Sequence, residues 1–137
     1  MGFLIDTNLW IAIERGKLSA GDIHSITRQE AIYLSPANLA EIRFGIELMI
    51  IQKQRQRALA MLRRLRRKPL LRITAKTAET FGVLAPQLKL KGRGGDFRVQ
   101  DLWIAAQAVE RGFTVLMANA KDFNDVPGLK WFEVRIS

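Results

Sequence analysis

The sequence predicts an α/β fold: three layers, α/β/α, around a mostly parallel central sheet. Short apolar runs that end at polar residues alternate with longer stretches of helical periodicity, the pattern of strands joined by crossover helices. Helix start and stop signals fall between them at Ser35-Pro36, Gly16 and Gly112. No repeat, low-complexity stretch or Pro/Gly/Ser linker divides the 137 residues, so one domain over 1–137 is expected.

Phe3-Leu4-Ile5 reads as a buried strand ending at Asp6, and Thr7 to Arg15 as a helix halted by Gly16. A weaker helical pattern covers about Ala20 to Arg28, and Ala31 to Leu34 forms a second strand. Ser35 and Pro36 suit the N-cap and first position of a helix whose buried face carries Leu39, Ile42, Ile46 and Met49. A basic helix spans about Gln52 to Lys68, stopped by Pro69, before a predicted strand at Leu70 to Ile73. A helix follows over Lys76 to Leu90 with a candidate bend at Pro86, then a basic loop, Lys91-Gly92-Arg93-Gly94-Gly95. Val99, Leu102, Ala105, Ala106 and Val109 make one apolar helical stripe ending at Gly112. Thr114 to Met117 and Trp131 to Arg135 complete the strands.

Composition removes several chemistries. Cysteine is absent, which excludes disulfides, thiolate metal sites and cysteine nucleophiles and suits a reducing compartment. A single histidine, His24, argues against a histidine-rich zinc site or a Ser-His-Asp triad. No apolar run reaches the roughly 20 residues of a membrane span, and Asp6 and Glu14 interrupt any signal core, so a cytoplasmic protein is expected. Lys and Arg number 22 against 13 acids, a net charge of +9 that suits a polyanionic or acidic partner, or solubility alone.

Three acids occupy positions that solvation alone does not explain. Asp6 directly follows an apolar strand. Glu41 shares a helix face with Ala37, Gly45 and Leu48, and Asp101 lies in the first turn of a strongly apolar helix. Taken singly, Asp6 and Asp101 read by default as helix caps, and Glu41 as a solvated boundary residue. Taken together, they sit at element ends or faces that can converge on one crevice at the carboxyl edge of a parallel sheet. Carboxylates gathered without basic partners repel one another unless a cation compensates. Hard divalent cations take such oxygen ligands together with water and phosphate.

Leu4-Ile5-Asp6-Thr7-Asn8, the stretch Leu34-Ser35-Pro36-Ala37-Asn38-Leu39-Ala40-Glu41-Ile42-Arg43-Phe44-Gly45-Ile46, and Asp101-Leu102-Trp103-Ile104-Ala105-Ala106-Gln107-Ala108 resemble the three acidic blocks of PIN domains. The resemblance is greatest to the VapC and FitB toxins and runs over essentially the whole chain in order. It implies a PIN-like fold and a divalent-metal endoribonuclease, with Asp6, Glu41 and Asp101 holding Mg²⁺ or Mn²⁺ and products bearing a 5′-phosphate and a 3′-hydroxyl. Thr7 would belong to the same site. The family's fourth position, Asp or Asn in a Thr-x-Asp/Asn stretch, falls on Asn119, with Met117 in place of the usual threonine; Asp122 is a nearby acid or a solvated residue. The resemblance also implies a small VapB-like antitoxin whose arginine occupies the acids, and an RNA substrate. A processing nuclease without an antitoxin, or a nucleic-acid-binding module that has lost catalysis, would share the fold.

Between Glu47 and Glu79 the chain has no acid, while Lys53, Arg55, Arg57, Arg63, Arg64, Arg66, Arg67, Lys68, Arg72 and Lys76 accumulate. Such a run is a solvated helix face or a docking surface for RNA or an acidic partner. Lys91 and Arg93 flank glycines in a loop leading toward Asp101. Trp10, Trp103 and Trp131 lie in apolar patterns and are expected in the core. Ile46, Met49, Ile50 and Leu62 are apolar positions beyond what one small core requires, and they are expected to form the antitoxin groove, a homodimer contact, or both.

Overall fold

A computed structural model describes residues 1–88 and 99–136. The loop at Lys91–Gly95 and the predicted helix end at Leu90 lie outside the described residues. Four strands, β1 (Gly2–Ile5), β2 (Ala31–Tyr33), β3 (Thr114–Met117) and β4 (Lys130–Glu133), form one sheet in the order β2-β1-β3-β4. Every pairing is parallel, with Leu4 opposite Tyr33 and Val115, and Leu116 opposite Phe132. Among the described residues six helices connect them: α1 (Thr7–Glu14), α2 (Ala20–Thr27), α3 (Pro36–Glu47), α4 (Gln52–Leu65), α5 (Ala75–Leu88) and α6 (Val99–Arg111).

The layers follow from the period-two alternation of strand side chains. Ile5 and Leu116 point to one face, where Leu9 and Trp10 of α1, Ile23 of α2 and Met61 and Leu65 of α4 cover them. Leu4, Val115 and Met117 point to the other, against Leu84 and Leu88 of α5 and Leu102, Ile104 and Ala105 of α6. α3 contributes to both cores: Ala37 joins the second, Ile42 and Ile46 the first. A parallel sheet covered on both faces is the predicted three-layer arrangement.

Local chemistry sets the boundaries. α1 and α6 stop at Gly16 and Gly112, whose φ values of 73° and 68° a residue with a Cβ rarely adopts. α2, the weakest helix by sequence, is fixed at its start by a reciprocal box in which Ser19 and Asp22 each bind the other's backbone N–H. α3 opens with Ser35 accepting from the Ala37 N–H and Pro36 in the first turn, as expected.

Some expectations do not hold. Leu70 to Ile73 is not a strand; only Leu70 forms a bridge, to Leu34. Leu34 donates to the Pro69 carbonyl and accepts from the Leu71 N–H, and Pro69 has no N–H with which to extend a ladder. Trp10 is buried and Trp103 stacks on Phe81, but Trp131 is exposed on β4, an edge strand of the sheet. Of the four expected surplus positions, Ile46 and Leu62 belong to the core and Met49 packs against it, while Ile50 is exposed; Phe44, Leu48 and Ile51 are exposed with it around the α3–α4 turn. No helix among the described residues is long and apolar enough to cross a membrane.

Candidate active site

The strand order locates the crevice. From β1 the chain moves outward to β2, then returns across β1 to β3, so the winding direction reverses between β1 and β3. In open parallel sheets, ligands bind outside the carboxyl ends of strands at such a reversal. Asp6 sits there: its backbone N–H donates to the Leu116 carbonyl at 2.8 Å, one residue beyond the paired part of β1. It occupies the N-cap position of α1 with extended backbone, yet its side chain makes no capping hydrogen bond, and it is 3% exposed. The capping alternative for Asp6 therefore fails.

Asp101 lies in the first turn of α6, also 3% exposed, where the helix dipole favours a carboxylate. Glu41 lies half-buried on α3. The elements that carry the three acids touch: α6 packs on β1 and β3, and α3 packs on α6 and α1. The side chains themselves do not form a closed cage. Among the described residues no three His, Cys, Asp or Glu groups draw close enough to hold a metal ion.

A polar frame holds this corner together, and sequence reasoning missed it. Asn38, fully buried on α3, donates from Nδ2 to the Ile5 carbonyl at 3.2 Å and to Thr7 Oγ1 at 2.9 Å, gripping the chain on both sides of Asp6. Its Oδ1 accepts from the Ser35 N–H at 2.8 Å. The Ser35 hydroxyl donates to Gln107 Oε1 at 2.5 Å, and Gln107 Nε2 donates to the Leu71 carbonyl at 2.7 Å, so α3, α6 and the chain after α4 are tied in series. Two signals were available. Asn38 stands three residues after an N-cap serine, as the second partner of a capping box does, and Gln107 interrupts the apolar run Ile104-Ala105-Ala106 before Ala108.

The fourth position differs in character. Asn119 follows β3 but is exposed, and its Oδ1 caps a short 3-10 turn (Ala120–Asp122) by accepting from the Lys121 N–H. Met117, where the family's threonine would stand, is fully buried in the core. Asp122 is half-exposed on the same turn. His24 is exposed on α2.

A groove of about 780 Å³ opens beside this corner, between α1, α3 and α4. Thr7, Asn8 and Glu14 line it from α1, Glu41 and Gly45 from α3, and Arg57 and Arg64 from α4. Nothing stands within 4 Å of where a Gly45 side chain would begin, so this residue keeps the floor low. Arg64 Nε donates to Glu14 Oε1 at 2.7 Å across the groove.

The donor set suits a hard cation. It offers carboxylate and amide oxygens with neither thiolate nor imidazole near, and Mg²⁺ is commonly held by one or two carboxylates, water and substrate phosphate rather than by a complete protein cage.

Comparisons with known proteins give the family. The PIN domain family matches residues 3–129. Ribonuclease VapC1 of Rickettsia felis is 30% identical over 131 residues, 95% of this chain and 94% of the relative. Ribonuclease VapC of Rickettsia bellii is 30% identical over 136 residues, with the same coverage. Among solved structures, VapBC2 from Rickettsia felis bound to a promoter DNA fragment superposes with a TM-score of 0.79 at 24% identity, covering 98% of this chain and 99% of that one. VapBC-5 from Mycobacterium tuberculosis gives 0.77 at 23%, covering 97% and 98%. The family model spans most of the chain and the four-stranded parallel α/β fold agrees with it, so the chain belongs to the PIN domain family. Within it, the chain groups with the VapC ribonucleases.

Proposed function

We propose that this protein is the endoribonuclease toxin of a type II toxin–antitoxin pair, acting as a single PIN-like domain on RNA in the cytoplasm. The observation that carries the reading is the buried Asp6 at the β1–β3 reversal, with Asp101 buried on the helix packed against those strands. Asp6, Asp101 and Glu41 would hold Mg²⁺ or Mn²⁺, which when bound neutralises phosphodiester oxygens and makes water a better nucleophile. The chain supplies the positioning. Asn38 fixes the backbone on both sides of Asp6. Thr7, whose oxygen already accepts from Asn38, keeps its own proton to donate. Asn119, with Oδ1 committed to its turn, has amide protons left to orient water or a phosphate oxygen.

The partner in this reading is a small VapB-like antitoxin. Its peptide lies in the groove and directs an arginine at the acids, a planar cation that pairs bidentately with carboxylates. The toxin itself would pair as a homodimer through Phe44, Leu48, Ile50 and Ile51, a cluster of exposed apolar residues of the kind that marks an interface.

The test is to sequence RNA ends after brief induction, against an Asp101→Asn control, then to co-express the chain with the product of its neighbouring small gene. New 5′-phosphate ends only in the parent, suppressed by the neighbour, are expected. Cleavage that persists with the neighbour bound overturns the toxin reading. Equal cleavage by Asp101→Asn overturns the site.

A further inference from the structure

Arginines around α3 and α4 fall into two groups, those whose charge the protein itself uses and those it does not. Arg55 donates to the Ile46 carbonyl at 2.7 Å and pairs with Glu47, and Arg43 pairs with the same carboxylate at 2.8 Å. Arg64 pairs with Glu14 and, like Arg63, lies in the last turn of α4, where the dipole favours a cation. Arg15 occupies the C-cap of α1, favoured in the same way.

Arg57 has none of these supports. It lies in the amino-terminal half of α4, in a stretch with no acid between Glu47 and Glu79. It makes no ion pair or hydrogen bond among the described residues, and it is exposed. Even so, it lines the groove that Thr7 and Glu41 line. Seven residues separate it from Arg64, about 10 Å along the same helix face, so one wall of the groove carries one neutralised and one open cation.

We propose that Arg57 is a substrate-positioning residue that binds a backbone phosphate of the RNA next to the one being cut, and that Arg64 is not. The inference rests on the nuclease reading above and adds to it the path of the RNA, which runs through the groove along α4. An uncompensated guanidinium suits a phosphate because its planar donors meet phosphate oxygens in pairs. A guanidinium already bound to Glu14 would have to give up that carboxylate first. The groove then serves two occupants in turn, and a partner seated in it excludes substrate by covering Arg57 as well as Glu41.

The experiment compares Arg57→Gln, Arg57→Lys and Arg64→Gln. Binding is measured as a function of salt on a single-stranded RNA in the Asp101→Asn background, and cleavage kinetics in the parent background. Arg57→Gln should flatten the slope of log affinity against log salt by about 0.7, the value for one neutralised phosphate on a single strand. It should also raise KM about tenfold with kcat nearly unchanged. Arg57→Lys should restore most of the slope and less of KM, since a lysine keeps the charge but not the paired donors. Arg64→Gln should leave the slope as it is. An unchanged slope and KM in Arg57→Gln, in a parent that cleaves RNA, overturns this inference alone, as does loss of partner binding with RNA affinity intact. A parent that cleaves no RNA with Mg²⁺ or Mn²⁺ overturns the nuclease reading and this inference with it.

Discussion

Asn38 Nδ2 donates to Thr7 Oγ1 at 2.9 Å, and the same nitrogen reaches the Ile5 carbonyl. The residue between those two acceptors is Asp6, so a side chain on α3 sets the backbone from which the acid projects. Replacing Asn38 by Asp keeps its size but turns the donor into an acceptor that faces the Ile5 carbonyl and that Thr7 can meet only by turning its own hydroxyl proton toward it. Leaving such buried groups unpaired costs about 1–3 kcal/mol each. Asn38→Asp is therefore expected to lose several degrees of melting temperature and, in folded protein at low temperature, most of its cleavage. A variant with unchanged Tm and unchanged rate would show that the grip is incidental.

Asp6→Asn, Glu41→Gln and Asp101→Asn each remove a ligating charge while keeping shape. Loss of a group that only supports a metal ligand costs about 10–100-fold, so loss of a ligand should exceed about 100-fold in cleavage. Melts in EDTA should find all three at least as stable as the parent, because each relieves charge in or near a buried site. Calorimetric titration with Mg²⁺ or Mn²⁺ should show weakened uptake. A variant that binds metal and cleaves like the parent loses its place among the ligands.

The outer face of α4 and the residues after it offer Arg63, Arg66 and Arg67, all exposed and none in an ion pair among the described residues. If this face holds RNA, changing all three to Ser reduces the salt slope by about 0.7–0.9 for every phosphate that is no longer neutralised. An unchanged slope would assign them to solvent.

Glu47 joins two arginines at the end of α3. The hydrogen bond from Arg55, foremost, and the charge of Arg43 hold its carboxyl below the usual glutamate value, against a smaller opposing effect of desolvation. A depressed folded value adds stability above the unfolded value of about 4.3, and that stability is lost as pH falls through the folded value. The parent should unfold at higher urea than Glu47→Gln near neutral pH, with the gap closing as the solution is acidified below the free glutamate value. A constant gap would mean that shape, not charge, sets the difference.

Phe44→Ser with Leu48→Ser should convert a dimer to a monomer in light scattering, with little change in Tm, since neither side chain is part of a core. A parent that is already monomeric would remove the proposed homodimer.

What the sequence made legible was periodic or punctuated. Gly16 and Gly112 announce left-handed helix stops, Ser35-Pro36 a helix start, and Thr114 to Met117 a run whose alternate residues feed both cores. The acids could be picked out because each interrupts an apolar pattern. Asn38 and Gln107 escaped because a polar residue on a helix looks solvated until its partners, 31 and 72 residues away, are known. Leu70 to Ile73 has strand composition but no free neighbour beyond Leu34, and an apolar run becomes a strand only where a partner edge accepts it. Trp131 was misplaced for the converse reason: its strand exists, but at the margin of the sheet.

That margin affects how the protein behaves at the bench. Lys130, Trp131, Phe132 and Glu133 are all exposed, and beyond β4 the sheet has no further strand among the described residues. An edge with unpaired backbone groups and adjacent aromatics is a template for another chain, and charges at the two ends of the strand, here Lys130 and Glu133, are the usual guard against it. Concentrated stocks should therefore thicken slowly by edge-to-edge strand pairing, fastest at high salt, where those two charges are screened, and a second lysine in place of Phe132 should keep them clear.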